Sequence, residues 1–299
     1  MKPEKLFDRV YDDYDKYMIV PVALMVLAIG ILGFNAATNG EFLQKGIDFT
    51  GGTEITYSVQ GEFTAVQAER AFQDSGRNDV QAVKQISGNN TLLLVSLPPP
   101  ELSEEQAETI LNDAGIQATA EGFRSISPSV SGAFFQQAQV AFALAFTIMS
   151  LVIFVAFKDV VPSLAVIFAA LGDVLIAAAG MSILGIPLTL GSLAALLMLI
   201  GYSVDTDIVL STRVLKRNRG SVKSRVWSSI KTGVTMSSGG IAGFILLYFV
   251  SSSIVGPSEL SNIAAVMVMG LLADMPLTWL GNAIVLKKYV NGEVKTPWN

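Results

Sequence analysis

LTLGSLAALLMLIGYSVDTDIVLST, residues 188–212, decides the fold of this chain. Seventeen uncharged residues, 188–204, run up to Asp205 and Asp207. The whole stretch exceeds the about 20 residues needed to cross a bilayer as a helix. Five more apolar windows flank it: 17–40, 134–157, 160–184, 232–250 and 260–286. The first lacks the short apolar core and small-residue exit of a cleaved leader, so it is expected to stay as an anchor. Over all 299 residues, 51% are hydrophobic and 15% charged, against roughly 25% charged in an ordinary soluble domain. The predicted class is a multi-pass α-helical membrane protein with six transmembrane helices.

The chain has no cysteine and no histidine. Disulfides, thiol chemistry, histidine metal sites and a Ser-His-Asp triad are therefore excluded. No Walker lysine loop or other catalytic motif is present, so no enzyme, no cofactor and no metal site are expected.

Residues 41–130 separate the first two windows and have the charge content of a soluble domain. Alternation predicts strands at 55–59, 80–86, 92–97 and 117–126, the middle two joined by a turn at Gly88-Asn89-Asn90. Helical spacing covers 64–75 and 103–114, and the second opens with the capping box Ser103-x-x-Gln106. The order β-α-β-β-α-β predicts an α+β ferredoxin-like domain. Its thirteen acidic and five basic residues give a balance of −8, which disfavours nucleic acid. Pro98-Pro99-Pro100 reads as a stiff connector.

Lysine and arginine gather in the 1–16 tail, in the 213–231 segment and in the C-terminal tail. The positive-inside rule then puts both termini and the basic loop 213–231 in the cytoplasm and the 41–130 domain outside the cell membrane. The expected organisation is a tail at 1–16, a first span at 17–40, the domain at 41–130, five spans within 131–290 and a tail at 291–299. Membrane lipid is the main surrounding.

Four acids fall inside the spans: Asp173, Asp205, Asp207 and Asp274. Each would cost roughly 2.5–3.5 kcal/mol facing lipid as a charge, so each is a candidate ion or proton site or a helix contact. At about 1.5 Å per residue Asp173 lies roughly 20 Å into its span, near the midplane. Asp205 and Asp207 are about 200° apart around a helix and cannot share a partner. Asp207 shares its face with Ser203 and Ser211, and Asp205 with Gly201 and Val209. Asp274 precedes Met275-Pro276, which predicts a kink in the sixth span. Lys231 is the candidate cation, or else an ordinary interface lysine. Gly239 and Gly243 form a small-xxx-small pair for close helix packing.

Two segments, Gly46-Ile47-Asp48-Phe49-Thr50-Gly51-Gly52-Thr53 and Gly201-Tyr202-Ser203-Val204-Asp205-Thr206-Asp207, resemble the SecF members of the SecD/SecF family. The likeness extends to 127–132, 172–180 and Lys231-Thr232, and Asp274-Met275-Pro276 looks archaeal. This resemblance implies the resistance-nodulation-division superfamily, a SecD partner, the Sec translocation channel and exported polypeptides as client. It implies an ion-coupled accessory role in export and singles out Asp48, Phe49, Thr50, Gly51 and Gly52 as the family motif. Where bacterial members have Asn-Asp-Thr this chain has Asp205-Thr206-Asp207, so its acids are out of register. Asp205 is ranked first for ion binding, then Asp173 and Asp207. The alternatives are a small-molecule or lipid transporter of the same superfamily and a structural scaffold of the channel.

Overall fold

The computed structural model describes residues 7, 11, 13–77, 80–87, 90–100, 102–216, 220–254 and 258–294. Among them, six helices are long and apolar enough to cross a membrane. The first, α1 (Ile19–Asn39), follows a 3-10 turn at Tyr14–Met18 and stops at Gly40, whose φ of +78° suits glycine.

A single helical turn, Ile47–Thr50, then leads into the α+β domain. In chain order the domain is β1 (Gly52–Gln60), α2 (Ala65–Asp74), β2 (Gln81–Ser87), β3 (Asn90–Leu97), α3 (Glu104–Asp113) and β4 (Gln117–Ile126). Its four strands form an antiparallel sheet in the order β2-β3-β1-β4, the arrangement expected of a ferredoxin-like domain. Gly88 and Asn89 of the expected turn lie outside the described residues, but Ser87 pairs with Asn90 across it. Both helices begin with capping boxes: the anticipated Ser103–Gln106 and a second at Thr64–Gln67. The helices cover one face, where Ile55, Tyr57, Phe72, Leu93, Leu97 and Leu111 are buried together. The other face is turned toward the ends of the bundle helices.

The remaining spans are α4 (Pro128–Phe157), α5 (Val160–Leu184), α6 (Leu190–Ser211), α7 (Val222–Ile254) and α8 (Glu259–Leu277), the last continued by α9 (Ala283–Val290). About half of α5, α6 and the sixth span is buried, against under a fifth of α1, α4 and α7. Three helices thus form the centre and three flank it. Close packing at the centre depends on missing side chains: a Cβ on Gly172 of α5 would strike Leu277, and one on Gly270 of α8 would strike Leu199 of α6.

One expectation about the basic end needs correction. The segment 213–231 is not a loop in its described part, because a π-helical turn at Thr212–Lys216 extends α6, and α7 begins at Val222. Apolarity ends where the bilayer does, whereas a helix continues as long as its residues pack. Here Val226 is fully buried, Trp227 stacks on Phe7 at 4.9 Å, and the Arg225 guanidinium donates to the Val214 carbonyl at 2.6 Å. In the sixth span Pro276 lies within α8, and the helix widens just beyond it into a second π-helical turn, Thr278–Asn282. A proline withholds one N–H and crowds the preceding turn.

Candidate functional site

Asp173 from α5, Asp207 from α6 and Asp274 from α8 are all fully buried and share one hydrogen-bonded set. The Ser203 hydroxyl bridges Asp173 Oδ2 and Asp274 Oδ1, the latter at 3.2 Å. Thr278 Oγ1 bridges Asp274 Oδ1 at 2.9 Å and Asp207 Oδ1 at 3.1 Å. Thr206 Oγ1 donates to the Ser203 carbonyl at 2.7 Å while lying 3.1 and 3.2 Å from the two Asp274 oxygens. Ser237 of α7 reaches Asp274 Oδ2 at 3.4 Å, and Asn282 Nδ2 donates to Asp207 Oδ1 at 2.7 Å. Asp274 is therefore the hub, contacted by four hydroxyls.

Among the described residues no lysine or arginine forms an ion pair with any of these three acids. Asp173 Oδ1, Asp207 Oδ2, Ser211 Oγ and Asn282 Oδ1 are buried without a hydrogen-bond partner among the described residues. Buried ionised carboxylates cost several kcal/mol each unless a cation pairs with them. Two π-helical turns adjoin it, an irregularity that recurs at functional sites.

The other sequence candidates lie elsewhere. Asp205 is exposed on the outside of the bundle, as the 200° offset from Asp207 requires. Lys231 is also exposed, its ammonium 5.9 Å from the Trp227 ring. A Cβ on Gly239 or Gly243 would meet nothing within 4 Å among the described residues, and the glycines that admit close contacts from α7 are Gly233, against Trp279, and Gly240, against Tyr202. Sequence reasoning missed Thr206, Ser237, Thr278 and Asn282 as partners. The signal was available for two of them, because Asp274, Thr278 and Asn282 repeat every four residues, as Ser203, Asp207 and Ser211 do.

A second polar cluster lies where the domain meets the bundle. Asp48 is buried, accepts from the Leu190 N–H at 2.9 Å at the start of α6, and pairs with Arg124 of β4 at 3.4 Å. Arg124 also lies 3.6 Å from Glu54, whose carboxyl is lifted above its ordinary 4.5 mainly by burial, with Arg124 pulling it back. The adjoining chain is fastened by backbone bonds: Gly46 N donates to Leu188 O at 2.8 Å, and Leu188 N to Gln44 O at 2.7 Å. Phe49 packs edge-on to Phe135 of α4. Gly51 and Gly52 have φ of +74° and +113°, and a Cβ on either would run into backbone at Pro128 or Leu97. The Asp48–Gly52 motif is thus a turn that only this glycine pair fits, docked on the head of the span that carries Asp207.

A family profile described as "SecD/SecF GG Motif" matches residues 43–62, and another, "Protein export membrane protein SecD/SecF, C-terminal", matches residues 106–292. The protein-export membrane protein SecF of Methanothermobacter thermautotrophicus is 38% identical, over 95% of this chain and 96% of that protein. The chain belongs to the SecD/SecF family. The SecF of Methanocaldococcus jannaschii is 34% identical, over 93% of this chain and 96% of its own length. Among solved structures, the crystal structure of SecDF from Thermus thermophilus, described as a translocon-associated membrane protein, matches 97% of this chain with a TM-score of 0.74 at 22% identity. This chain spans 39% of the length of that SecDF chain. The SecD/SecF fold, a six-helix bundle with one α+β domain, is thereby established, and the chain is a multi-pass membrane protein.

Proposed function

We propose that this chain is a SecF-type accessory subunit for protein export, driven by protons that enter and leave the Asp173–Asp207–Asp274 set. The observation that carries the reading is the bridging of three carboxyls from three spans by hydroxyls, with no lysine or arginine among the described residues paired to them. A hydroxyl has one hydrogen to donate. With Ser203 and Thr278 turned toward Asp173 and Asp207, Asp274 supplies its own proton. With both turned toward Asp274, Asp173 and Asp207 carry the protons instead. Uptake or release of one proton, with rotation of the two hydroxyls, therefore takes the set between a one-proton and a two-proton arrangement. Asp274 and Asp207 sit on different spans, so each arrangement favours a different helix contact, which is the element a coupled conformational cycle requires. No covalent step is needed, and the chain acts as no enzyme.

In this reading both termini are cytoplasmic and the 41–130 domain lies outside, in keeping with the lysine and arginine bias. SecD supplies the other half of the transporter, beside the Sec channel. Asp205, Gly201, Gly239 and Gly243 form a thin, partly polar flank that is exposed among the described residues, which suits a partner's helices. The names of the relatives favour export over transport of a small molecule or lipid. An acid set with no paired lysine or arginine among the described residues favours coupling over a passive scaffold.

The test is export in a host depleted of its SecF and complemented with Asp274→Asn, with membrane level and SecD co-purification measured in the same cells. Loss of export at normal level and normal pairing is the expected result. Wild-type export by this variant would sink the coupling role and leave the scaffold.

A further inference from the structure

The sheet face turned toward the bundle overhangs the ends of α5 to α8 and leaves a cleft of about 670 Å³. That volume lies within the about 300–1,000 Å³ of ligand-binding sites. Its roof is built from cross-strand rows. Glu54, Ser96 and Gln81 stand side by side on β1, β3 and β2, and Thr56, Leu94 and Val83 form the next row. Its floor includes Thr189, Glu259 and Asn262, beside Ile186 and Pro187. We infer that this cleft seats an extended segment of the polypeptide being exported. The inference rests on the export role proposed above and names where the client touches this chain.

The chemistry of the walls selects the occupant. A lipid tail needs an unbroken apolar lining, such as the groove between α1 and α5 provides with Val22, Leu164 and Phe168. The cleft instead alternates hydroxyl, amide and carboxylate groups with aliphatic ones. An anion would meet Glu54 and Glu259, both lining the space, in a domain whose balance is −8. The one lysine at the margin, Lys84, is turned to the Phe63 carbonyl at 2.7 Å and to the Phe63 ring. An extended chain fits both kinds of surface. Its peptide groups find donors and acceptors in the polar rows, its alternate side chains find Leu94 and Val83, and the acids favour neutral or basic segments.

The floor gives such a segment something to act on. Thr189 caps α6 and Glu259 opens α8, and the two are joined by a hydrogen bond of 2.9 Å. A polypeptide in the cleft therefore rests on the outer ends of the two spans that carry Asp207 and Asp274.

Because the chain has no cysteine, single reporters are clean. Thr56→Cys marks the roof and Asn262→Cys the floor. Val66→Cys, on the exposed side of α2, is the control. Each variant is assembled in membranes with its SecD partner and the Sec channel, and a secretory polypeptide with one cysteine is stalled in transit by a folded domain at its tail. Mild oxidation should give disulfide adducts at 56 and 262 severalfold above those at 66. Equal adducts at 66, or none at 56 and 262 while the same variants export at the wild-type rate, would overturn the inference and leave the export role standing. Failure of the export role shows separately, as undiminished export in cells lacking the chain.

Discussion

The two acidic clusters of this molecule are built on opposite rules. At the domain junction, Asp48 and Glu54 share Arg124, and Asp48 also holds a backbone N–H, so charge is answered by charge and by a fixed dipole. In the bundle, Asp173, Asp207 and Asp274 are answered, among the described residues, only by hydroxyls and one side-chain amide. A guanidinium holds its carboxylate ionised, whereas a hydroxyl can bond to either protonation state because it both donates and accepts. The first arrangement fixes a structure. The second sets no fixed charge from the described residues against the acids.

Putting a cation among the core acids is the most direct way to break this contrast. Asn282→Lys places an ammonium beside Asp207 and should reduce export to the level of the depleted host, with the protein still present in the membrane; unchanged export would show that the lack of a paired lysine or arginine among the described residues is irrelevant. Next in size is Gly172→Val, which drives a branched side chain into Leu277 and should cost about 1–3 kcal/mol of stability by overpacking. Unfolding in detergent measures it, and an unshifted midpoint would mean that α8 does not depend on this close approach. At the junction, Asp48→Ala removes a helix cap and an ion pair and should cost about 0.5–2 kcal/mol. Asp48→Asn keeps the cap and should recover most of that loss, read as hydrogen-exchange protection of residues 44–52. The smallest effect concerns Glu54. Its folded carboxyl is raised above its ordinary 4.5, so its contribution to stability is complete below that pH and is lost as pH rises through the raised value. Glu54→Gln should flatten this slope in thermal melts across the acidic range, and an unaltered slope would assign it to other groups.

The spans were legible because a chain that folds in water rarely keeps an uncharged window as long as a bilayer is thick, and the domain because strand alternation and a capping box punctuate it. The ends of helices were less so: 222–231 is charged yet helical, held by Val226 and Trp227 packing that no hydropathy window registers. For the site, spacing alone put Asp205 and Asp207 on opposite faces. Which face turns inward depends on what α5 and α8 present to it, and that is a property of three helices together. The serines above and below Asp207 were the clue, and the ranking of Asp205 first followed the family motif instead. Gly51 and Gly52 announced a turn, but the reason for two glycines, backbone at Pro128 and Leu97, exists only in the folded chain.

The backbone bonds between 44–46 and Leu188, together with Asp48 on Leu190, make the connection between domain and bundle a crank and not a tether. A tethered domain could sway without consequence below. A fastened one could not: a tilt of the domain would load the head of α6, the span that carries Ser203 and Asp207.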